Sequence, residues 1–391
     1  MNVQLASYTV RPATVRTLGA IALAGVAVVI AGLFLAPARI WPALLVANYY
    51  VLTLGLAGVV FVALMFAARA GWSTVFRRIP EAMSGILPVN FLGMLLMVFG
   101  LSTLYEWTHQ DVLATDALLA GKAAYLNIGM FMLRMVLYFA VWLAFAMYLR
   151  RNSLRQDSSG DERLTERNMR ASAFFLVLFA LTFWLAGTDW IMSIEAHWFS
   201  TIFGVYNIAG MLTSGIAAIT LLLIVLRRRG VFGDLIREDH LHDLGKLLFA
   251  FSTFWMYIWF SQYMLIWYSN IPEETVYYLR RQEGGWLTFT ILNVLFNWVI
   301  PFITLISARA KKAEGLLLKV CIIVLVGHWI DVFWMVSPTF MPDAPRIGVW
   351  EVAPLAAFVA LFFLLTLRGL SRGNVVPVQD PTLVESLHYH A

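Results

Sequence analysis

The sequence predicts an all-α polytopic membrane protein with about ten transmembrane helices. Of its 391 residues, 61% are hydrophobic and only 13% are charged, and the mean hydropathy is +0.76. Soluble domains are about half apolar and about a quarter charged, so this composition excludes a soluble class. The apolar segments have the length of a helix that crosses a bilayer, about 20 residues, and are too long and continuous for barrel strands.

Ten apolar windows follow one another along the chain. They cover residues 17–36, 43–68, 86–105, 125–149, 171–193, 201–226, 244–269, 286–308, 316–336 and 352–367. A polar tail at 371–391 contains two prolines and is expected to be a docking segment or a disordered end. No other long hydrophilic stretch is present, so residues 1–391 are expected to form a single integral membrane domain.

The distribution of Lys and Arg predicts the orientation of the chain. With ten helices, the segments on the side of the N terminus hold 21 of the 28 basic residues, and those on the other side hold 5. The remaining two, Arg134 and Lys319, lie inside predicted helices. This asymmetry predicts that both termini are cytoplasmic. It also explains the pI near 9.3, so lipids are expected as partners and nucleic acid is not.

A weak internal repeat relates the second to fifth helices to the sixth to ninth. The fifth and ninth helices each carry a glycine followed by an acid near the outer end, at residues 187–189 and 327–331. Four helices return the chain to its starting side, which makes such a repeat parallel. We therefore expect two four-helix bundles, over 43–193 and 201–336, flanked by the first and tenth helices. Chance similarity between apolar helices is the alternative.

Ionisable side chains concentrate in the outer half of the predicted helices. A charge at membrane depth disfavours insertion by about 2.5 to 3.5 kcal/mol, so such groups usually serve a function. Buried carboxyl groups and histidine can exchange protons, and Arg134 would supply a fixed counter-charge. The residues of this predicted proton relay are Asp189, Glu195, His197, Arg134, His328 and Asp331. Two alternatives stay open: Asp189 marks a helix end among lipid headgroups, or it forms a structural salt bridge with Arg134.

Polar and aromatic residues near the outer ends indicate a second candidate site, a pocket suited to a ring-shaped ligand. Its predicted members are Glu106, His109, Gln262, Tyr263 and Asn297. Of seven histidines only His328 lies clearly inside a helix, so a bis-histidine haem is not expected. The single cysteine, Cys321, excludes an intramolecular disulfide and an all-cysteine iron–sulfur cluster held by this chain alone. No metal site and no catalytic residue are predicted.

Two strings of residues resemble the membrane subunits of alternative complex III. The first is GTDWIMSIEAHWFSTIFG at 187–204, and the second is HLHDLGKLLFAFSTFWMYIWFSQYM at 240–264, followed by IWYSNIPEE at 266–274. The chain is most similar to the ActF subunit family, which is related to the NrfD and polysulfide-reductase membrane anchors. The resemblance covers the second to ninth helices. It implies a subunit of a quinol:cytochrome c oxidoreductase of the bacterial cytoplasmic membrane that contributes to proton translocation.

The resemblance also implies cofactors and partners. This chain would bind no redox cofactor itself, while haem and iron–sulfur clusters would belong to multihaem cytochromes and an iron–sulfur protein on the outer face. A paralogous membrane subunit would be a further partner, and quinol would be the ligand of the polar pocket. The alternative function is a secondary transporter with a parallel repeat. Transporter sites usually use broken helices, and only Pro301 falls deep inside a predicted helix, which favours the subunit.

Overall fold

The structure is a computed structural model that describes residues 8–390. The described part of the chain is 81% helical and contains no β-strand, which confirms the predicted all-α class. The ten long helices are α1 (Pro12–Leu35), α2 (Pro37–Ala67), α3 (Arg78–Leu104), α4 (Ile128–Ser159), α5 (Arg163–Trp190), α6 (Phe203–Arg228), α7 (Glu238–Ser269), α8 (Trp286–Thr304), α9 (Glu314–Val336) and α10 (Val349–Leu370). Residues 1–7 and Ala391, parts of the predicted domain and tail, lie outside the described residues.

Nine helices of the described chain are long and apolar enough to span a membrane, so the protein is a multi-pass membrane protein. The long helix outside that set is α7. Its 32 residues are sufficient in length, but its many Trp, Tyr, Ser and Thr residues lower its mean hydropathy. We call the end of the helix bundle where α1 begins and α10 ends the terminal face, and the other end the opposite face.

Several helices continue beyond their predicted windows on the terminal face. The fourth window ends at residue 149, whereas α4 continues to Ser159, and α5 begins at Arg163 rather than at residue 171. The extensions are polar and pair with each other: the Gln156 amide and the Thr165 hydroxyl exchange hydrogen bonds of 2.8 and 3.0 Å. Hydropathy predicts the membrane-spanning part of a helix, not the polar turns that project beyond it.

Two of the long helices are interrupted. In α3 the α-helical turns are broken by 3₁₀ turns at Ser84–Ile86 and Met97–Gly100. In α8 a π-helical turn spans Leu295–Val299, just before Pro301. Proline has no backbone N–H, so the helix must rearrange its hydrogen bonds in the preceding turn.

The helices pack as two bundles joined by a central interface. In the first bundle α2 contacts α3 and α5, and α4 contacts α5; in the second bundle α6 contacts α7 and α9, and α8 contacts α7 and α9. The bundles meet where α2 packs against α6 and α9, and where α5 packs against α6. Helices α1 and α10 pack against each other, and α10 also contacts α2 and the start of α3. The core of the protein therefore lies around α2 and α6.

The polar tail folds back onto the terminal face. Its short helix Leu383–Leu387 packs against the turn Gly71–Phe76, which connects α2 to α3. The Ser386 hydroxyl donates to the Trp72 carbonyl oxygen at 2.6 Å and accepts from the Val75 N–H at 3.1 Å. The sequence left two expectations for this tail, a docking segment or a disordered end. The described part of the tail, which ends at residue 390, is docked.

Candidate functional site

Asp189 lies in the last turn of α5 and forms an ion pair with Arg134 of α4. The guanidinium donates two hydrogen bonds to the carboxylate, 2.8 Å from Nε and 3.0 Å from Nη2, and the Tyr138 hydroxyl donates a third at 2.9 Å. Asp189 is 0% exposed. The carboxylate is therefore near a helix end, as one alternative supposed, but it is enclosed by protein. We call Asp189 and Arg134 the Asp189 pair.

Asp331 of α9 occupies the corresponding place in the second bundle, but its partners are neutral. Its carboxylate accepts hydrogen bonds from the hydroxyl of Tyr206 in α6, from Nε1 of Trp255 in α7 at 3.1 Å, and from Nδ2 of Asn293 in α8 at 2.8 Å. Asp331 is buried, and no Lys or Arg of the described chain pairs with it. These four residues form the Asp331 centre. Each helix of the second bundle contributes one of them.

The two acids lie at comparable places in their bundles. Each lies near the opposite-face end of the last helix of its bundle, and each is bound by a residue of the preceding helix, Arg134 or Asn293. The difference between the bundles is one of charge. The first carboxylate is neutralised by a guanidinium, whereas the second receives only neutral donors.

His328 lies one turn before Asp331 on the same face of α9. Its Nε2 is 2.8 Å from the Thr53 hydroxyl of α2, and its buried Nδ1 has no hydrogen-bond partner within the described chain. A Cβ added to Gly210 of α6 would lie 3.4 Å from the His328 ring and 3.5 Å from Asp331 Oδ2, so both side chains cover this glycine. The absence of a side chain at Gly210 therefore lets the two titratable groups meet α6.

A hydrogen bond at the bundle interface adjoins the Asp331 centre. The Tyr49 hydroxyl of α2 donates to Oδ1 of Asn207 in α6 at 2.8 Å. Asn207 follows Tyr206 directly in the chain. Polar groups thus continue from α2 across α6 to α9 within a largely apolar core.

Glu195 follows α5 and is held by two arginines and a threonine. Its carboxylate lies 2.9 Å from Arg281 Nη2 and 3.3 Å from Arg280 Nη1, and it accepts a hydrogen bond from the Thr339 hydroxyl at 3.2 Å. Arg281 is 0% exposed. It also donates to the carbonyl oxygens of Trp334 and Met335 at the end of α9.

Arg281 is a residue that the sequence analysis missed. The basic-residue pattern places it in a loop, where a charge needs no partner. In the structure its guanidinium joins the end of α9 in the second bundle to the segment after α5 in the first, so it links the two acid-bearing helices.

A cavity of about 280 Å³ opens on the opposite face beside Glu195. We call it the opposite-face cavity. The residues that line it include Glu106, Glu195, His197, Trp198, Glu273, Tyr277, Arg280 and Thr339. It brings Glu195 and His197 of the predicted relay together with Glu106 of the predicted polar pocket.

His197 pairs outside the membrane-spanning helices with Asp116. Its Nε2 lies 2.5 Å from Asp116 Oδ2. The backbone N–H of Leu119 and the His197 ring together lower the pKa of the Asp116 carboxyl. The Asp116 carboxylate thus caps a short helix and holds His197 at the rim of the cavity.

The other members of the predicted polar pocket do not meet in one place. Asn297 donates to Asn293, next to the Asp331 centre, at 2.7 Å. Gln262 and Tyr263 lie on α7, where the Tyr263 ring stacks on Trp259 at 5.9 Å. Neither these residues nor His109 lines the opposite-face cavity. The structure therefore divides this predicted pocket among three separate surroundings.

A buried ionic network on the terminal face was not predicted. Arg77 pairs with Asp380 of the tail, and Arg78 pairs with Glu81 at 2.8 Å and with Asp157 of α4 at 2.7 Å. The count of basic residues assigned both arginines to a segment on the side of the N terminus, and it could not indicate the partners Asp157 and Asp380, which lie 79 and 303 positions further along the chain. The network ties the start of α3 to the end of α4 and to the tail.

Within residues 8–390, no group of three or more His, Cys, Asp or Glu side chains is placed to hold a metal ion. Neither a scan against protein-family models nor a search of curated proteins finds a match for the chain. The arrangement of the buried acids is thus the main evidence on what the protein does.

Proposed function

We propose that this chain conducts protons as an integral membrane subunit of a quinol-oxidising, cytochrome-reducing complex of the alternative complex III type. In this proposal it lies in the bacterial cytoplasmic membrane with its terminal face toward the cytoplasm. Multihaem cytochromes, an iron–sulfur protein and a paralogous membrane subunit are its partners, and they carry the haem and iron–sulfur cofactors. The resemblance of residues 187–204 and 240–274 supports the type of complex.

The observation that carries proton conduction is the pair of unlike carboxyl groups. A proton that binds to Asp189 must compete with the guanidinium of Arg134, so the ion pair has to weaken at each transfer. A proton that binds to Asp331 meets no such competitor, because its partners are a hydroxyl, an indole and an amide. We therefore propose Asp331 as the proton carrier and Asp189 as a fixed structural anion.

The neighbours of Asp331 suit this role. The Tyr206 hydroxyl already donates to the carboxylate, and a hydroxyl can pass on one proton while it receives another. The His328 ring is held by Thr53 on one side only, and its free Nδ1 is a second position for a proton. These groups extend the route from the Asp331 centre toward α2. The surrounding helices are apolar, so they insulate such a route and keep it selective for protons.

The experiment compares Asp331→Asn with Asp189→Asn. Each protein is placed in vesicles that enclose a pH-sensitive dye, and a potassium diffusion potential drives proton entry. We expect Asp331→Asn to lower the flux on the order of a hundredfold, because an amide cannot carry the proton. Asp189→Asn should leave most of the flux of the molecules that fold. Equal flux in Asp331→Asn and the wild type, or wild-type flux no greater than that of empty vesicles, would refute proton conduction.

Membership of the complex is tested by what copurifies with the chain. Extraction in mild detergent should bring haem-containing partners, visible in a redox difference spectrum and identified by mass spectrometry. A secondary transporter, the alternative function, would purify without them.

A further inference from the structure

His240 is a fully buried histidine that binds the polar tail. It lies in the first turn of α7 on the terminal face, before the apolar window of that helix. Its Nδ1 lies 3.0 Å from the backbone nitrogen of Arg237, and its Nε2 lies 3.0 Å from the carbonyl oxygen of Ser386 in the tail. The ring of Tyr389, also in the tail, lies 5.9 Å from the His240 ring. One side chain thus joins the start of α7 to the docked tail.

These two contacts fix the protonation state of the His240 ring. The backbone N–H of Arg237 can only donate, so Nδ1 must accept and carries no proton. The carbonyl oxygen of Ser386 can only accept, so Nε2 must donate and carries the proton. The neutral ring with its proton on Nε2 is the one form that satisfies both contacts. A second proton would have to bind Nδ1, directly against a backbone N–H.

The surroundings of His240 also disfavour a charged ring. Burial lowers the pKa of His240 below its ordinary 6.5, and the positive charge of Arg237 lowers it further. The carbonyl oxygen of Ser386 and the charge of Asp239 oppose this effect without cancelling it. The ring also lies at the N-terminal end of a long helix, where the helix dipole is unfavourable to a cation.

The titratable groups around His240 come from three elements. The turn Gly71–Phe76 contacts the ring through Phe76 at 6.2 Å and contributes none. The start of α7, the short helix Ala308–Lys312 that packs on it, and the tail contribute Arg237, Asp239, His242, Asp243, Lys312, Glu385, Tyr389 and His390.

Two acids of this region have lowered pKa values, so they stay ionised between pH 5 and 7.5. The hydrogen bond from Lys312 lowers the pKa of Asp239. Despite burial, the arginine paired with Asp380 holds the pKa of that carboxyl below its ordinary 3.8. His390 lies 3.8 Å from Asp239, so a proton on His390 strengthens a contact of the tail. The His240 ring is therefore the contact whose protonation we expect to weaken docking in this range.

We propose that His240 is a pH-sensitive latch for the polar tail, which stays docked while the ring is neutral and is released when the solution on the terminal side becomes acidic. A proton on Nδ1 removes the acceptor of the Arg237 N–H and places a charge in a fully buried position. Release of the tail lets the ring reach water and uncovers Trp72, on which the Tyr389 ring packs at 6.1 Å. The latch does not depend on whether the chain conducts protons.

Linkage between protonation and docking gives the size of the effect. In the released tail the ring has its ordinary pKa of 6.5, and in the docked state its pKa is lower. The stabilisation of docking by the neutral ring is thus fully present above 6.5 and is lost as the pH falls from 6.5 to the lowered value. Between those two values the docking equilibrium weakens about tenfold per pH unit, so the fall at pH 5 is about thirtyfold at most.

The test is hydrogen exchange of the tail in the full-length protein at pH 7.5 and pH 5. A synthetic peptide of residues 374–390 supplies the exchange rate of unprotected amides at each pH. The N–H groups of Ser386 and His388 bond to carbonyl oxygens of the tail itself, and so short a helix does not persist alone, so their protection reports docking. We expect protection to fall severalfold from pH 7.5 to pH 5. Equal protection at the two pH values would overturn the latch.

His240→Gln separates the latch from other effects of acid. A glutamine amide can donate to the Ser386 carbonyl oxygen and accept from the Arg237 N–H, but it does not titrate, so protection should be the same at both pH values. His242→Gln is the matched control, because His242 lies two positions away, 3.9 Å from Asp243, and its loss should leave the wild-type response. The wild-type fall in His240→Gln, or its absence in His242→Gln, would contradict the proposal.

Nuclear magnetic resonance tests the latch even if glutamine does not hold the tail. In protein with ¹⁵N-labelled histidine, the ring signals that disappear in His240→Gln belong to His240. At pH 7.5 they should show a neutral ring with its proton on Nε2. A proton on Nδ1 at that pH would refute the assigned contacts, and with them the latch.

Discussion

The Asp189 pair gives a sharp prediction because one of its partners can be removed without the other. Asp189 is 0% exposed, and in Arg134→Gln its carboxylate should keep the hydrogen bond from the Tyr138 hydroxyl but lose both guanidinium hydrogen bonds. Breaking a buried ion pair in this way destabilises a protein by about 3 to 5 kcal/mol, because the remaining charge is left without compensation. In Arg134→Gln with Asp189→Asn no charge remains, and the expected loss falls to about 1 to 2 kcal/mol.

The double variant should therefore be more stable than Arg134→Gln by about 1 to 4 kcal/mol, the reverse of what two independent losses would give. The free energy of unfolding can be measured by titrating dodecyl sulfate into mixed micelles and following tryptophan fluorescence, with refolding on dilution as the check of reversibility. Asp189→Asn alone completes the cycle. If the double variant is no more stable than Arg134→Gln, the ion pair does not stabilise the first bundle in the way that its geometry indicates.

Two further predictions concern the bundle interface and the tail. A Cβ at Gly215 of α6 would lie 2.1 Å from the Cβ of Ala57 in α2, so Gly215→Ala should destabilise the fold by about 1 to 3 kcal/mol. Gly210→Ala is the control, because a Cβ there would have its nearest contacts at 3.4 Å. An equal loss of stability in both variants would contradict close packing at Gly215. Burial on its own would raise the pKa of Asp380, but Arg77 and the hydrogen bonds from its own turn outweigh burial and hold that pKa below its ordinary 3.8. The stabilisation from this carboxylate is thus present above the ordinary pKa and lost as the pH falls through the lowered one. Asp380→Asn should loosen the tail at neutral pH, seen as faster hydrogen exchange over residues 374–390, and unchanged exchange would count against the ion pair as its anchor.

The fold could be predicted from the sequence because hydrophobic length is a local property. Each predicted window of about 20 apolar residues corresponds to a long helix, including α7, whose mean hydropathy is low. The polar turns beyond the bilayer, as in α4 after residue 149, have no such local signature, and they were missed.

The members of the site were predictable, and so was one pairing. Asp189, Asp331 and His328 stand out because ionisable residues are rare in apolar windows, and the salt bridge of Asp189 with Arg134 was one of the alternatives that the sequence left open. The neutral partners of Asp331, such as Asn293, depend on packing between helices, and the sequence did not indicate them.

Residues near the helix ends were the hardest to interpret. Tyr277 resembles any aromatic residue of an interfacial belt, and Arg281 resembles a basic residue of a loop, since both lie beside a helix end on the opposite face. Burial is what distinguishes them, and burial there comes from segments distant in sequence. The sequence of the polar tail likewise contains no feature that predicts where the tail docks, which in the structure is the terminal face.

The contact between Arg77 and the tail has a consequence for how the protein is made. The two partners are separated by 303 positions, so the ribosome synthesises the arginine long before its carboxylate. At about 5 to 20 residues per second, the arginine waits on the order of 15 to 60 seconds. During that interval the start of α3 is already synthesised while the segment that pairs with it is still being translated, so a stop codon before residue 380 would leave Arg77 without this partner.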